Sequence, residues 1–281
     1  MTSPSVTKWE KIYDARLSQM NRDYQISDWT ARSADYSESR KTDNYKYGRT
    51  VHNILSSNGV LSDTSRMIEV GSGPGTFVIP FAQNISHVTA VEPAEGMQNH
   101  IKANALEAGV ENFDIIPSIW QDVDVQSMAG SYDLAISSTV IWMFRDIVKQ
   151  IKRMEKVSSG YCCLSASIPN NAHTEDTLWK SLVGDKPRPQ FPEYPLIYDI
   201  LYENNIHPEV RIITSESRRS PENMITMYSV FYNLFTTMTK EKEELINQHV
   251  MDKLVDGLYP MQLTSAVLWW KSPSGEINAG E

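Results

Sequence analysis

Cysteine is almost absent from this chain. Its 281 residues hold two, Cys162 and Cys163. Adjacent cysteines on one strand point to opposite faces and form no disulfide framework, so a reducing compartment is expected. No apolar run approaches the roughly 18 uninterrupted residues that a membrane span needs. The opening MTSPSVTKWEKIYDARL lacks the apolar core of a secretory signal. A basic excess is missing too: 26 Lys and Arg face 35 Asp and Glu, for a net charge of -9. That balance argues against a broad electrostatic grip on nucleic acid or on an anionic membrane. His52, His87, His100, His173, His207 and His249 stand at no ligand spacing from one another, from acids or from the cysteines, so no metal is expected. What the chain does have is a 41% hydrophobic and 10% aromatic composition, enough to build a buried core. Its length suits one or two domains of about 150 residues. The expectation is a soluble, cytoplasmic, globular protein.

Three regions differ in character. Residues 1–48 are polar and carry Trp9, Tyr13, Trp29, Tyr36, Tyr45 and Tyr47 with few aliphatics. They read as short helices and loops lying over something else. Residues 49–169 alternate apolar runs with helical patterns. The runs are Arg66–Val70, His87–Val91, Phe113–Ile116, Tyr132–Ile136 and Tyr161–Ile168, each ending at a turn residue. Between them, Met97, Ile101 and Ala105, and later Ile147, Ile151 and Met154, recur at helical spacing. Such alternation predicts a doubly wound α/β fold, a mostly parallel sheet with helices on both faces. Residues 170–281 break the rhythm. Pro187, Pro189 and Pro192 suggest a long irregular insertion over 170–193. A helix from about Pro195 to Asn204, a strand near Val210–Thr214 and a helical stretch to about Asp256 follow. Ser220-Pro221 is expected to open that stretch as N-cap and first helical residue. A last strand is expected at Ala266–Trp270, with one of Trp269 and Trp270 in the core and the other undetermined.

The most informative segment is Glu69-Val70-Gly71-Ser72-Gly73-Pro74-Gly75-Thr76-Phe77, where a first strand feeds a first helix. Glycines there let a ligand approach the backbone. The spacing is G-x-G-x-G after an acid. A dinucleotide fingerprint would place its third glycine one position later, and a phosphate-binding loop would end in Gly-Lys-Ser/Thr. The pattern suits a ligand with a ribose and an amino-acid arm better than one with a pyrophosphate. Glu92, directly after the second run, can accept hydrogen bonds from both ribose hydroxyls. The ends of the first four runs, near Gly71, Glu92, Ser118 and Ser137, would line one carboxyl edge of the sheet, where ligands of such folds bind.

EVGSGPGTF, TAVEPAEGM and YDLAISSTVIWM resemble the class I S-adenosylmethionine-dependent methyltransferases of small-molecule type. The resemblance covers about 49–169, and more loosely the strands at 208–214 and 266–271. It implies a Rossmann-like sheet of seven strands closed by an antiparallel pair, with an N-terminal helical segment and helical cap insertions. It implies S-adenosyl-L-methionine as cosubstrate and a small molecule as methyl acceptor. It also implies site roles. Glu69 would orient the loop or meet the methionine amino group. Gly71, Ser72, Gly73 and Gly75 would line the methionine arm. Glu92 would bind the ribose, and Pro93, Ala94 and Met97 would wall the adenine. Where many relatives carry Asp-Ala after the third strand, this chain has Ser118-Ile119-Trp120-Gln121-Asp122, leaving the Trp120 backbone for adenine N1 and Asp122 for its amine. Ser137 would lie beside the donated methyl. Trp29, Arg32 and Tyr36 would fold over the donor, with Tyr36 or Arg32 reaching its carboxylate.

Several residues carry two readings each. His173, after the fifth run, is a catalytic base or a surface-loop residue. Trp142 stacks on substrate or packs on the next helix. Arg218-Arg219 meets an anion or sits in a solvated turn. Cys162 and Cys163 read as core. A methyltransferase acting on protein or RNA, and a donor-binding regulatory protein without turnover, remain as alternatives. No Asn-Pro-Pro-Tyr or Asp-Pro-Pro-Tyr follows the fourth run, where Ser137-Ser138-Thr139-Val140 stands. A dehydrogenase is a more distant alternative.

Overall fold

The alternation of runs and helices becomes a layered α/β structure in the computed structural model, which describes residues 3–168 and 176–273. Among the described residues the strands are β1 (Arg66–Val70), β2 (His87–Val91), β3 (Phe113–Ile116), β4 (Tyr132–Ser138), β5 (Ser158–Ile168), β6 (Glu209–Arg219) and β7 (Tyr259–Lys271). They form one sheet in the order β3-β2-β1-β4-β5-β7-β6. The first five run parallel, and β7 enters antiparallel between β5 and β6. The expected architecture is therefore present: mostly parallel, seven strands, with a closing antiparallel pair.

Because both faces of the sheet are covered, central strands must be apolar on both sides. Strand alternation then divides neighbours between two cores. Ile68 and Val70 face one core and Met67 the other. Cys162 and Trp270 join the first, Cys163 and Trp269 the second. Both tryptophans are thus buried, and burial pushes both thiols up. The first core is covered by α1 (Pro4–Gln19), α7 (Ile147–Val157) and α9 (Tyr194–Glu203). The second is covered by α4 (Lys46–Ser57), α5 (Val78–Ala82) and α6 (Glu95–Ala108). Met97, Ile101 and Ala105 on α6, and Ile147, Ile151 and Met154 on α7, are buried as their spacing predicts.

A third apolar cluster lies outside this sandwich. It joins α8 (Asp176–Val183), α10 (Pro221–Asn233) and α11 (Lys240–Met251) through Leu178, Trp179, Tyr228, Tyr232, Phe235 and Ile246. Ser220 caps α10 as expected, its hydroxyl accepting from the Asn223 N–H. Helix α8 was not expected inside the proline-marked 170–193 stretch. It forms because Leu178, Trp179 and Leu182 share a face that α10 and α11 bury, and the prolines follow its end.

Strands β6 and β7 also run longer than expected. Ile168, the last residue of β5, pairs with Thr264, yet β7 begins at Tyr259 and pairs with β6 as far as Arg219. The five added residues on each strand, about 3.3 Å apiece, overhang the carboxyl edge by roughly 17 Å. Residues 215–219 are all polar, which hid this extension of β6 in the sequence.

The N-terminal segment forms α1, α2 (Ile26–Ala31) and α3 (Ser33–Thr42). Helix α1 is anchored by buried Trp9, whose Nε1 donates to the Phe144 carbonyl at 2.8 Å. Helix α3 buries polar residues on two sides, Ser33 and Ser37 on one and Asp35 and Ser39 on the other, and so cannot be held by apolar packing alone.

Candidate active site

The crevice opens where β1 leaves for β2 on one side and β4 lies on the other, the position at which strand order reverses. The loop after β1 rises there with the Gly71 and Ser72 N–H groups both donating to the Val91 carbonyl, at 2.8 and 3.2 Å. Gly71 has φ +73, and a Cβ there would lie 2.5 Å from Val140 Cγ2, so no other residue fits. Gly73, at φ +55, faces open space: a Cβ would meet nothing within 4 Å. Gly75 closes the turn, its N–H donating to the Ser72 carbonyl at 3.1 Å.

Two carboxylates address this loop. Glu92 is 6% exposed. Its Oε2 accepts from the Gly73 N–H at 2.8 Å and its Oε1 from the Ala94 N–H at 2.9 Å. Burial raises its pKa, and those two hydrogen bonds pull against the rise. Glu69 is 1% exposed and its Oε2 has no partner. Burial pushes the Glu69 carboxyl well above the usual carboxylate range; Ser72 pulls it down a little and the charge of Glu92 adds to the push. An orphaned, buried carboxylate oxygen calls for a donor, and a cationic one satisfies it best. Ser137 on β4 pairs with Val70 in register, which sets it beside the loop's entry. Its hydroxyl is fully buried and also has no partner. Beyond Glu92, Ala94 and Met97 are buried and Pro93 is half-buried.

The chain after β4 turns through Thr139, a β-branched residue at φ +55, held by its N–H to the Ser165 carbonyl at 2.7 Å. This strained turn sets Val140 against Gly71. It also brings Trp142 round so that its Nε1 donates to the Thr139 carbonyl at 2.7 Å.

The N-terminal helices lie on the same crevice. Thr30 and Ser33 press on Gly96, where a Cβ would come within 2.7 Å of Ser33 Oγ. Asn104 of α6 ties α3 to the glycine loop: its Nδ2 donates to the Pro74 carbonyl at 2.9 Å and to Ser37 Oγ at 3.0 Å. Trp29 stacks on Tyr24 at 5.4 Å and meets Tyr36 edge-on at 6.4 Å. Tyr24 in turn meets Trp142 edge-on at 5.5 Å. Arg16 of α1 lies over Trp142 at 4.9 Å and donates to its carbonyl at 3.0 Å. Trp142 therefore packs against Tyr24 and Phe191 as well as bordering the crevice.

The structure thus gathers Glu69, Gly71, Ser72, Gly73, Gly75, Glu92, Pro93, Met97 and Ser137 at one sheet edge, with Trp29 and Tyr36 on the helices packed against it. Trp120 is placed differently. Its ring is buried in the first core beneath the Arg153 guanidinium at 5.2 Å, and its carbonyl accepts from Arg153 at 2.7 Å. Asp122 is exposed. His173 lies outside the described residues. Among the described residues no group of three His, Cys, Asp or Glu side chains could hold a metal. Among them, too, no helix is long and apolar enough to cross a membrane. Sequence reasoning missed Asn104 and Arg16. Both left a signal: Asn104 interrupts the buried stripe of α6, and Arg16 follows Trp9 and Tyr13 on one face of α1.

Comparison with known proteins agrees with this geometry. Residues 67–158 match a family model for a methyltransferase domain. An uncharacterized protein of Haemophilus influenzae is 23% identical over 226 residues, covering 77% of this chain and 80% of that one. A SAM dependent methyltransferase from Aquifex aeolicus has the same fold at a TM-score of 0.52 and 10% identity, covering 89% of this chain and 100% of its own. So does a candidate sarcosine dimethylglycine methyltransferase from Galdieria sulphuraria, with a TM-score of 0.52 and 12% identity over 82% of this chain and 86% of that one. Strand order, glycine loop and family match define a class I methyltransferase. Residues 67–158 are thus a methyltransferase domain of the family for which S-adenosyl-L-methionine is the methyl donor.

Proposed function

We propose that the crevice at the carboxyl ends of β1, β2 and β4 holds one S-adenosyl-L-methionine per chain, and that its methyl passes to a small-molecule acceptor. The observation that carries this reading is the buried, unpartnered Glu69 oxygen beneath a loop whose Gly73 face is open. When bound, the donor supplies a methyl group already activated by the charge of its sulfonium. Glu69 would take the ammonium of the methionine arm, and Gly71, Ser72, Gly73 and Gly75 would line that arm. Each Glu92 oxygen already accepts one backbone N–H and keeps lone pairs for the ribose hydroxyls. Pro93, Ala94 and Met97 would wall the adenine. Trp120 would offer only its backbone N–H, since its ring is committed to the core. Ser137 would face the sulfonium side, and Trp29 and Tyr36 would close over the donor.

In this reading residues 1–48 cover the donor, 49–169 form the donor-binding core, and 170–281 supply the cap and closing strands. The protein acts by positioning. In-line displacement needs nucleophile, methyl and sulfur held at near-attack distance with water kept out. His173, which follows β5, is proposed as the base for an acceptor that arrives protonated. A net charge of -9 and a ring-lined approach favour a small acceptor over nucleic acid.

Titration calorimetry of the full chain with S-adenosylhomocysteine, in chelator-treated buffer, tests the donor site. One site per chain is expected, and no binding would overturn the reading. Glu69→Gln should keep the fold while weakening S-adenosylmethionine and its decarboxylated analogue, which keeps the ammonium, more than the deaminated analogue. Equal weakening of all three would remove Glu69 from the ammonium.

A further inference from the structure

The N-terminal helices also carry a group of charges not used in the donor contacts above. Three guanidiniums, Arg32 of α3's N-cap, Arg40 of α3 and Arg219 of β6, converge on the ring of Tyr36. Arg32 and Arg40 lie 4.5 and 5.8 Å from its centre. Arg219 is close enough that Arg40 and Arg32 both repel its charge. Arg32 and Arg219 are 8% and 9% exposed. Among the described residues one carboxylate, Asp35, stands against the three cations, paired to Arg32 at 3.3 Å and itself 4% exposed. Glu38 is turned away toward Asn223, and Arg218 toward Asp256. The Nε atoms of Arg32, Arg40 and Arg219 are buried without a hydrogen-bond partner. Arg219 finds only the Met227 thioether, at 3.8 Å.

Buried cations lacking counter-charge are costly, and proteins keep them where a ligand completes them. The local field is legible in the titrating groups. Burial would raise the Tyr36 phenol, yet Arg32, Arg219 and Arg40 together hold it below its ordinary value. Burial and the repulsion of Arg40 bring Arg219 down to about 10, so it stays charged at neutral pH.

The cluster is assembled from two distant segments of chain. Arg219 is carried to the crevice by the β6–β7 overhang, and α3 meets it from the N-terminal side. The N-terminal segment also touches the end of α10, where the Asn21 N–H donates to the Leu234 carbonyl at 2.6 Å. The cluster is joined to the strand end at Thr139 by a continuous row of rings, Trp142, Tyr24, Trp29 and Tyr36. A planar body lying along those rings, with an oxyanion at the far end, would meet both surfaces. Guanidinium forks match carboxylate and phosphate geometry alike.

We infer that the methyl acceptor is a small aromatic acid, its oxyanion held by Arg219, Arg40 and Arg32 and its ring lying on Trp29 and Tyr24. This rests on the donor reading above. The test uses the full chain saturated with S-adenosylhomocysteine, titrated with benzoate, phenyl phosphate and the neutral benzamide. At least one anion should bind roughly tenfold more tightly than benzamide, the scale of one charge-assisted pair. The tighter of benzoate and phenyl phosphate identifies the oxyanion. Arg219→Gln should abolish that preference while leaving S-adenosylhomocysteine affinity within about twofold. Arg40→Gln should weaken the anion in the same sense, which keeps the test valid if Arg219→Gln does not fold. Arg219→Lys should retain part of the preference. If neither anion binds, or all three probes bind alike, the inference fails while the donor site stands. If Arg219→Gln and Arg40→Gln instead weaken S-adenosylhomocysteine, the cluster serves the donor's own carboxylate and the inference fails. Failure of S-adenosylhomocysteine to bind the unaltered chain would strike the donor reading itself.

Discussion

The two halves of this crevice are built from different materials. The donor half is made of backbone and carboxylates: turned amides of one loop, with Glu69 and Glu92 beneath and beside them, all within a short stretch of chain. The opposite half is made of side chains from distant segments: Arg16, Tyr24, Trp29 and Arg32 from the N-terminus, Trp142 from the turn after β4, Arg219 from the far end of β6. A site assembled from local backbone is demanding about backbone geometry. A site assembled from remote side chains depends instead on the contacts that bring its parts together.

That contrast can be broken most severely at Gly71. Gly71→Ala forces a left-handed alanine, costing about 1–2 kcal/mol, and drives its Cβ into Val140. Urea unfolding should register at least that loss, and S-adenosylhomocysteine binding should disappear. Gly73→Ala is the control: it carries the same backbone penalty without the clash, so it should remain folded, with a smaller loss of stability. Next in size, Glu92→Ala should weaken S-adenosylhomocysteine by about 1–3 kcal/mol in calorimetry, the scale for losing bonds to a charged acceptor. Unchanged affinity would place Glu92 outside the site. Asn104→Ala severs the tie between the halves and leaves the Pro74 carbonyl short of a donor, for a loss of about 1–2 kcal/mol in stability. Proteolysis should then cut α3 faster than the core. Equal rates would mean that Asn104 does not hold the N-terminal segment.

The smallest effect follows pH and sharpens the electrostatic half of the comparison. Glu69 and Glu92 have folded pKa values above the unfolded ones. Between the two values the native state holds protons that the unfolded state has released, so stability falls as pH rises. In the ligand-free protein these two carboxyls should contribute most to stability below the ordinary glutamate range and lose that contribution as pH climbs through the raised values, so the pH dependence of unfolding should be shallower in Glu69→Gln. A cationic donor at Glu69 favours the ionised carboxyl, so binding should release a proton. Calorimetry in buffers of different ionisation enthalpy should detect that proton in the unaltered chain and not in Glu69→Gln.

The same division explains what could be read in advance. Strands β2 and β3 begin and end where the apolar runs do, and the glycine loop and Glu92 fall where the spacing put them. Their signals are local: period, turn residues, and an acid next to a strand end. The overhang of β6 and β7 was not legible, because residues 215–219 are polar and make a strand only by pairing with 259–263. Helix α8 was hidden by the prolines after it. Only the Trp120 backbone was given a role toward the ligand; that a three-residue 3₁₀ turn sends its ring into the core was not legible. Arg32 and Arg219 could each be noticed singly. Nothing in the sequence says that they meet around one tyrosine.

By itself the sequence determined the sheet's parallel half, the bend that opens the crevice and the acids that serve it, since strand period and glycine conformation act within a few residues. Only the tertiary structure decided which remote guanidiniums and rings would share the space opposite. Their meeting depends on strand pairing and helix docking across nearly two hundred positions of chain, and no short-range propensity encodes it.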